Sequence, residues 1–158
     1  MIVMNRSNVL DLADKNREFF HELTQKYEFC FSLIGNEVRP DDVEIVESLI
    51  GTFPLGEGEK PVYLCGYYFD ENDEDSESCW FLVTNSSIYC DSYEDLVVDL
   101  DEISDITVED NQLCLYFDRD GESHKWELAP EWITGDADAE INPWKNLLLS
   151  FVEASKKQ

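Results

Sequence analysis

Basic side chains are what this chain has least of: its 158 residues carry 11 lysines and arginines against 36 aspartates and glutamates, a formal net charge of −25. The shortage is local. Residues 1–40 hold six acids and five bases, residues 41–142 hold twenty-nine acids and three bases, and residues 143–158 hold one acid and three bases. A protein that neutralises phosphates or anionic lipid headgroups needs a basic face, so direct nucleic-acid binding and membrane-surface binding are both disfavoured for the acid-rich section. A basic protein partner is its natural complement.

Other absences narrow the field further. No apolar run approaches the roughly 20 residues of a membrane span, and the opening MIVMNRSNVLDLADKNREFF has neither a signal-length apolar core nor a small-residue cleavage site, so neither insertion nor secretion is expected. Cys30, Cys65, Cys79, Cys90 and Cys114 are odd in number, include no CxxC pair and fall mostly in apolar runs, which fits a reduced, cytoplasmic protein. There is no GxSxG, HExxH, P-loop or Rossmann glycine pattern, and the two histidines, His21 and His124, sit in no motif. Paired carboxylates such as Asp99 and Asp101 arise by chance among 36 acids, so no catalytic residues are assigned and no enzyme is expected. Neither a cofactor nor a metal is expected. The run DENDEDSE at 70–77 lacks the turn glycine of a calcium loop, and DRDGE at Asp118 to Glu122 places its glycine too early and reads as a hairpin.

What is present is the texture of an α+β domain. Apolar residues at 43% and aromatics at 13% can build a core, and a chain of this length buries roughly two thirds of its unfolded surface. Ser7 can cap a helix on which Val9, Leu12, Ala13, Phe20, Leu23 and Tyr27 recur near the helical period. A second, shorter helix follows Pro40, with Val43, Val46, Leu49 and Ile50 as its stripe and Gly51 as its stop. From Pro61 the chain turns to short β-branched and aromatic segments, which predict seven antiparallel strands: Val62 to Phe69, Cys79 to Thr84, Ser87 to Asp91, Leu96 to Leu100, Ile106 to Glu109, Leu113 to Phe117 and His124 to Leu128. Asn142 and Pro143 signal the start of a closing helix, whose stripe is Trp144, Leu147, Leu148, Phe151 and Val152 and whose basic end is Lys156 and Lys157. Trp80, Trp126, Trp144, Tyr67, Tyr68, Tyr89, Tyr93 and Tyr116 are predicted as core. Trp132, in the loop PEWITG, is open to two readings, packing against the barrel or anchoring a partner.

Seven strands and one helix, together with GEKPVYLCGYY, CWFLVTNSSIYC and LVVDLDEISDITVEDNQLCLYFDRDG, resemble the GRAM and bacterial pleckstrin-homology-like (PH-like) families. The likeness lies in Gly58 to Lys60, Leu82 to Asn85, Leu100 to Ile103, and Asp120 with Gly121, and covers about residues 55–155. It implies a seven-stranded antiparallel PH-like barrel at 55–158 capped by a C-terminal helix; the two N-terminal helices read from the residues form a segment at 1–54, outside the likeness, expected to pack on or next to it. It also implies a non-enzymatic adaptor that binds protein or lipid. Lipid-binding members use basic residues around their first strands. This chain has Asp70, Glu71, Asp73, Glu74, Asp75 and Glu77 there instead, which argues against a lipid ligand.

The acidic excess has three competing explanations: adaptation to high salt, simple solubility, and matching to a basic partner. An almost balanced first forty residues weakens the first. The leading expectation is a cytoplasmic acidic binding protein, for example an immunity protein or inhibitor that occupies a nuclease's nucleic-acid groove, with Asp70, Glu71, Asp73, Glu74, Asp75, Glu77, Asp99, Asp101, Glu102, Asp105 and Trp132 as the contact set. The alternative is a scaffold or regulatory domain that binds a peptide or self-associates through apolar surfaces. The oligomeric state is left open by the sequence.

Overall fold

The computed structural model describes residues 6–26, 30–33, 40–68, 78–91, 96–109, 112–128 and 137–156. They form helices α1 (Arg6–Lys15), α2 (Arg17–Lys26), α3 (Val43–Ile50) and α4 (Ala137–Lys156), and strands β1 (Cys30–Ser32), β2 (Pro61–Tyr68), β3 (Ser78–Thr84), β4 (Ser87–Cys90), β5 (Val97–Asp99), β6 (Ile103–Glu109), β7 (Gln112–Arg119) and β8 (Glu122–Leu128). The fold is α+β with antiparallel sheets and a C-terminal helix.

Each of the seven predicted strands has a counterpart, and β1 is an eighth that its three residues were too few to signal. The strands do not close into one barrel among the described residues. They pair as a five-stranded sheet in the order β1-β2-β3-β4-β5 and a three-stranded sheet in the order β6-β7-β8. The break falls at Leu100–Glu102, one turn of 3-10 helix where the sequence reading continued a strand to Leu100. Leu100 is fully buried and its N–H donates to the Ser86 carbonyl at 2.8 Å, which turns the chain out of β5 and into β6.

The predicted N-terminal helix is two helices. The Asn16 side-chain amide donates to the Leu12 carbonyl at 2.8 Å, where the Asn16 backbone N–H also arrives at 3.2 Å, and the Asn16 carbonyl accepts the Phe19 N–H three residues on. A side chain that competes with the helical ladder interrupts it. At the other end, α4 begins at Ala137 and not at Asn142, so Pro143 lies inside the helix. Asn-Pro is a strong local start signal, but the favourable helix propensities of Ala137, Ala139 and Glu140 carry the helix upstream of it. Pro143 has no N–H to offer the carbonyl four residues back.

One core draws on almost every element. Val9, Ala13 and Phe20 from the N-terminal helices meet Tyr63, Cys65, Phe81, Val83 and Ile88 on one face of the five-stranded sheet. Ile106, Leu115, Phe117 and Trp126 of the smaller sheet join them, as does the α4 stripe Trp144, Leu148 and Phe151. The Phe20 ring lies 5.3 Å from Tyr63, 5.4 Å edge-on to Trp144 and 6.3 Å from Phe151. A smaller core on the opposite sheet face gathers Phe31, Leu64, Leu82 and Tyr89 under Val46 of α3 and Phe53. Burial on both faces explains why the β2 and β3 segments read as continuous apolar runs.

The lead-in to β2 and the turn after β3 meet in space. The Lys60 N–H donates to the Asn85 side-chain oxygen at 2.8 Å, and the Thr84 and Tyr89 hydroxyls donate to the Glu59 carboxylate at 2.6 and 2.7 Å. Burial pushes the Glu59 carboxyl up, but hydrogen bonds from Thr84, the Gly56 N–H, Tyr89 and Ser86 outweigh it and hold the group below its ordinary value. Asp120 and Gly121 have φ of 56° and 79°, the left-handed pair of a tight two-residue hairpin between β7 and β8.

Phe20→Ala is expected to cost about 3–5 kcal/mol in guanidinium unfolding, within the range for emptying a buried aromatic site. The half-buried Phe19→Ala should cost clearly less. A single cooperative transition shifted by Phe20→Ala is the outcome expected if α2 belongs to the sheet's folding unit.

Candidate partner-binding face

Asp70, Glu71, Asp73, Glu74, Asp75, Glu77 and Trp132 lie outside the described residues. The other four residues of the predicted contact set share one corner. Asp99 ends β5, Asp101 and Glu102 occupy the 3-10 turn, and Asp105 sits at an irregularity in β6 where the register with β7 shifts. Because Leu100 points into the core, its neighbours are turned to the surface: Asp99, Asp101 and Asp105 are exposed and Glu102 is half-buried.

These carboxylates are not equivalent. Asp99 accepts the Ser87 hydroxyl at 2.8 Å, while its backbone N–H donates to Glu102 at 3.0 Å. Glu102 is held by a two-pronged contact from Arg119 of β7, Nε at 3.0 Å and Nη2 at 2.8 Å, and the same guanidinium donates to the Val97 carbonyl of β5 at 2.9 Å. Arg119 therefore ties the two sheets together. Its hydrogen bonds hold the Glu102 carboxyl below the usual value. Asp101 moves the other way, raised by partial burial and by repulsion from Asp99 and Glu102, which Lys156 and a backbone hydrogen bond only partly offset. Lys156 donates to the Ile103 carbonyl at 3.0 Å, which fixes the end of α4 beside this corner.

From the corner, β6 leads into an open depression of about 590 Å³ across the outward face of the three-stranded sheet. Its lining includes Asp105, Thr107, Glu109, Tyr116, Asp118, Ser123 and His124. Period-2 alternation places all of them but His124, which pairs with the inward Phe117: Ile106, Leu115 and Trp126 point inward, which leaves Thr107, Tyr116 and Lys125 outward. Glu109 accepts the Tyr116 hydroxyl and, at 2.7 Å, the Thr107 hydroxyl. These bonds pull its carboxyl down to about 2. Lys125 lies 3.2 Å from Glu127 and 3.7 Å from Glu109, its ammonium 5.7 Å from the Tyr116 ring centroid. The hydrogen bond with Glu127 raises its pKa.

Sequence reasoning did not single out Glu109, Asp118 or Ser123, and it placed Tyr116 in the core, whereas Tyr116 is half-buried and lines the depression. The signal was available in the alternation along β7, where Leu113, Leu115 and Phe117 claim the inward positions. His124 stacks on Phe117 with ring centroids 5.3 Å apart. Among the described residues no group of three or more histidines, cysteines or acids is arranged to hold a metal ion, and no helix is long and apolar enough to cross a membrane. What the face offers is carboxylates and hydroxyls around an aromatic floor, a surface suited to cations.

Asp101→Asn and Glu102→Gln should act in opposite directions in urea unfolding at pH 7. The raised Asp101 carboxyl favours the fold only below its unfolded value and loses that contribution as pH rises, so Asp101→Asn should stabilise by a few tenths of a kcal/mol, an advantage that vanishes in acid. The lowered Glu102 carboxyl contributes above its unfolded value and loses that contribution as pH falls through the folded one. Glu102→Gln should therefore cost on the order of 1 kcal/mol after discounting for solvent screening, with the difference from the parent shrinking in acid.

The chain matches no family model, no curated protein and no solved structure.

Proposed function

We propose that this is a non-enzymatic acidic binding protein of the cytoplasm that engages a basic protein, in the manner of an immunity protein or inhibitor that occupies the nucleic-acid site of a nuclease or another nucleic-acid-binding protein. One observation carries the reading. Of the three bases between residues 41 and 142, Arg119 and Lys125 are held within the chain by Glu102, Glu109 and Glu127. Among the acids of that section whose side chains are described, all but Asp42, Glu59 and Glu102 are exposed. The surface therefore presents carboxylates with few cations of its own to balance them, and complementary charge on a partner steers encounter and relieves that repulsion. Consecutive antiparallel strands β2 to β8 closed by α4 support a PH-like scaffold used as an adaptor, with the acid-rich run 70–77 and Trp132 as further contacts.

A second reading has one specific observation in its favour. Val43 and Ile45 of α3 are 40% and 51% exposed, the exposed large hydrophobics among the described residues. They suit a scaffold that binds a peptide or a second copy through apolar surface.

The readings separate in a capture experiment from lysate at low and high ionic strength. The first expects a basic protein retained at low salt, displaced by duplex DNA, with an association rate falling at least about tenfold between about 0.01 M and 0.15 M salt. Charge reversal at Asp73, Glu74 and Asp75, or at Asp105, should slow that association while leaving the thermal midpoint nearly unchanged. Retention of no basic protein at low salt would overturn it. Binding that is insensitive to salt and lost in Val43→Ser/Ile45→Ser supports the second.

A further inference from the structure

The register of β1 against β2 sets Cys30 directly opposite Cys65. The phase of the hydrogen bonds sharpens this. The Leu33 N–H donates to the Val62 carbonyl at 2.9 Å, and these two residues continue the same register, so they form a hydrogen-bonded pair. Hydrogen-bonded and non-hydrogen-bonded pairs alternate along an antiparallel ladder. Phe31 with Leu64 is then hydrogen-bonded, and Cys30 with Cys65 is a non-hydrogen-bonded pair, the kind whose Cα atoms approach to about 4.5 Å. That spacing falls within the roughly 4.4–6.8 Å window of a disulfide.

We infer that Cys30 and Cys65 are a dithiol pair that closes to a disulfide under oxidising conditions, fastening β1 and the helices before it to the sheet. β1 has only three residues and pairs with β2 alone, one of the two three-residue edges of its sheet, so a covalent tie there secures a short pairing. The other cysteines are out of reach of this reaction. Cys90 is two strands from Cys65, about 10 Å away, and Cys79 is a diagonal neighbour at about 7–8 Å. Cys114 belongs to the three-stranded sheet. With glutathione disulfide as oxidant, the thiolate of the edge-strand cysteine attacks one glutathione sulfur and releases one glutathione. The Cys65 sulfur then displaces the second, so two protein S–H bonds become one S–S bond and the oxidant leaves as two thiols.

The full chain, folded and incubated with glutathione disulfide, then alkylated and digested without reductant, tests this by mass spectrometry. The expected result is a Cys30–Cys65 linked peptide as the dominant disulfide, with a higher guanidinium midpoint than the reduced protein. Dithiothreitol should reverse both, and Cys30→Ser should show neither. Cys30→Ser serves better than Cys65→Ser, because a hydroxyl at the buried position 65 brings its own penalty. Recovery of Cys30 as a thiol or a persistent glutathione adduct, or of Cys65 joined to Cys79 or Cys90, overturns the inference.

Discussion

Repulsion among its own carboxylates is the constraint this molecule is built around. At a net charge of −25 the chain's electrostatics oppose compaction, so the folded state must be held by burial of apolar surface. The architecture reflects this. The five-stranded sheet is covered on both faces, and a single aromatic cluster joins Phe20 of α2, Tyr63 of β2 and Trp144 and Phe151 of α4, elements far apart in the sequence. Acids are kept to the rim of that core. Where a carboxylate is drawn inward, as at Glu59, hydroxyl and backbone donors surround it.

The scarce cations of the acid-rich section are placed where they do most for the fold. Arg119 reaches from the three-stranded sheet to both the Val97 carbonyl and Glu102, bridging the point at which the two sheets part. Lys125 sits among Glu109, Glu127 and the Tyr116 ring on the outward face of the smaller sheet. With these bases committed internally, Asp99, Asp101, Asp105 and Asp118 stay exposed, with Lys156 of α4 beside Asp101. The Asp101 carboxyl is raised first by partial burial and then by repulsion from Asp99 and Glu102. A cationic partner would relieve the same repulsion that the fold otherwise has to tolerate.

Polar chemistry secures the joints between strands. Glu59 and Lys60, before β2, dock on the Thr84–Ser87 turn through hydrogen bonds that span about a quarter of a hundred residues of sequence. The Thr84 hydroxyl also accepts the Ser86 and Ser87 N–H groups at 3.2 and 2.9 Å, so one side chain both shapes the turn and ties it to the lead-in. Leu82, Val83, Leu100 and Ile103 are buried in the core, so the work at the turn falls to its polar residues. They hold the strand order, while many apolar combinations can fill a core.

Local signals determined most of the element inventory. The helical stripe of Trp144, Leu147, Leu148, Phe151 and Val152, the alternation in β7, and the Asp120–Gly121 turn are written in short-range periodicity and backbone preference, so they were readable one segment at a time. The charge imbalance was readable too, since it needs only counting. Tertiary structure alone decided the rest. It paired a three-residue β1 with β2, parted the strands into two sheets at Leu100 and assigned Arg119 to Glu102. Each of these depends on which distant residue arrives opposite, and hydrogen-bond register and burial are settled between segments, where no local pattern records them.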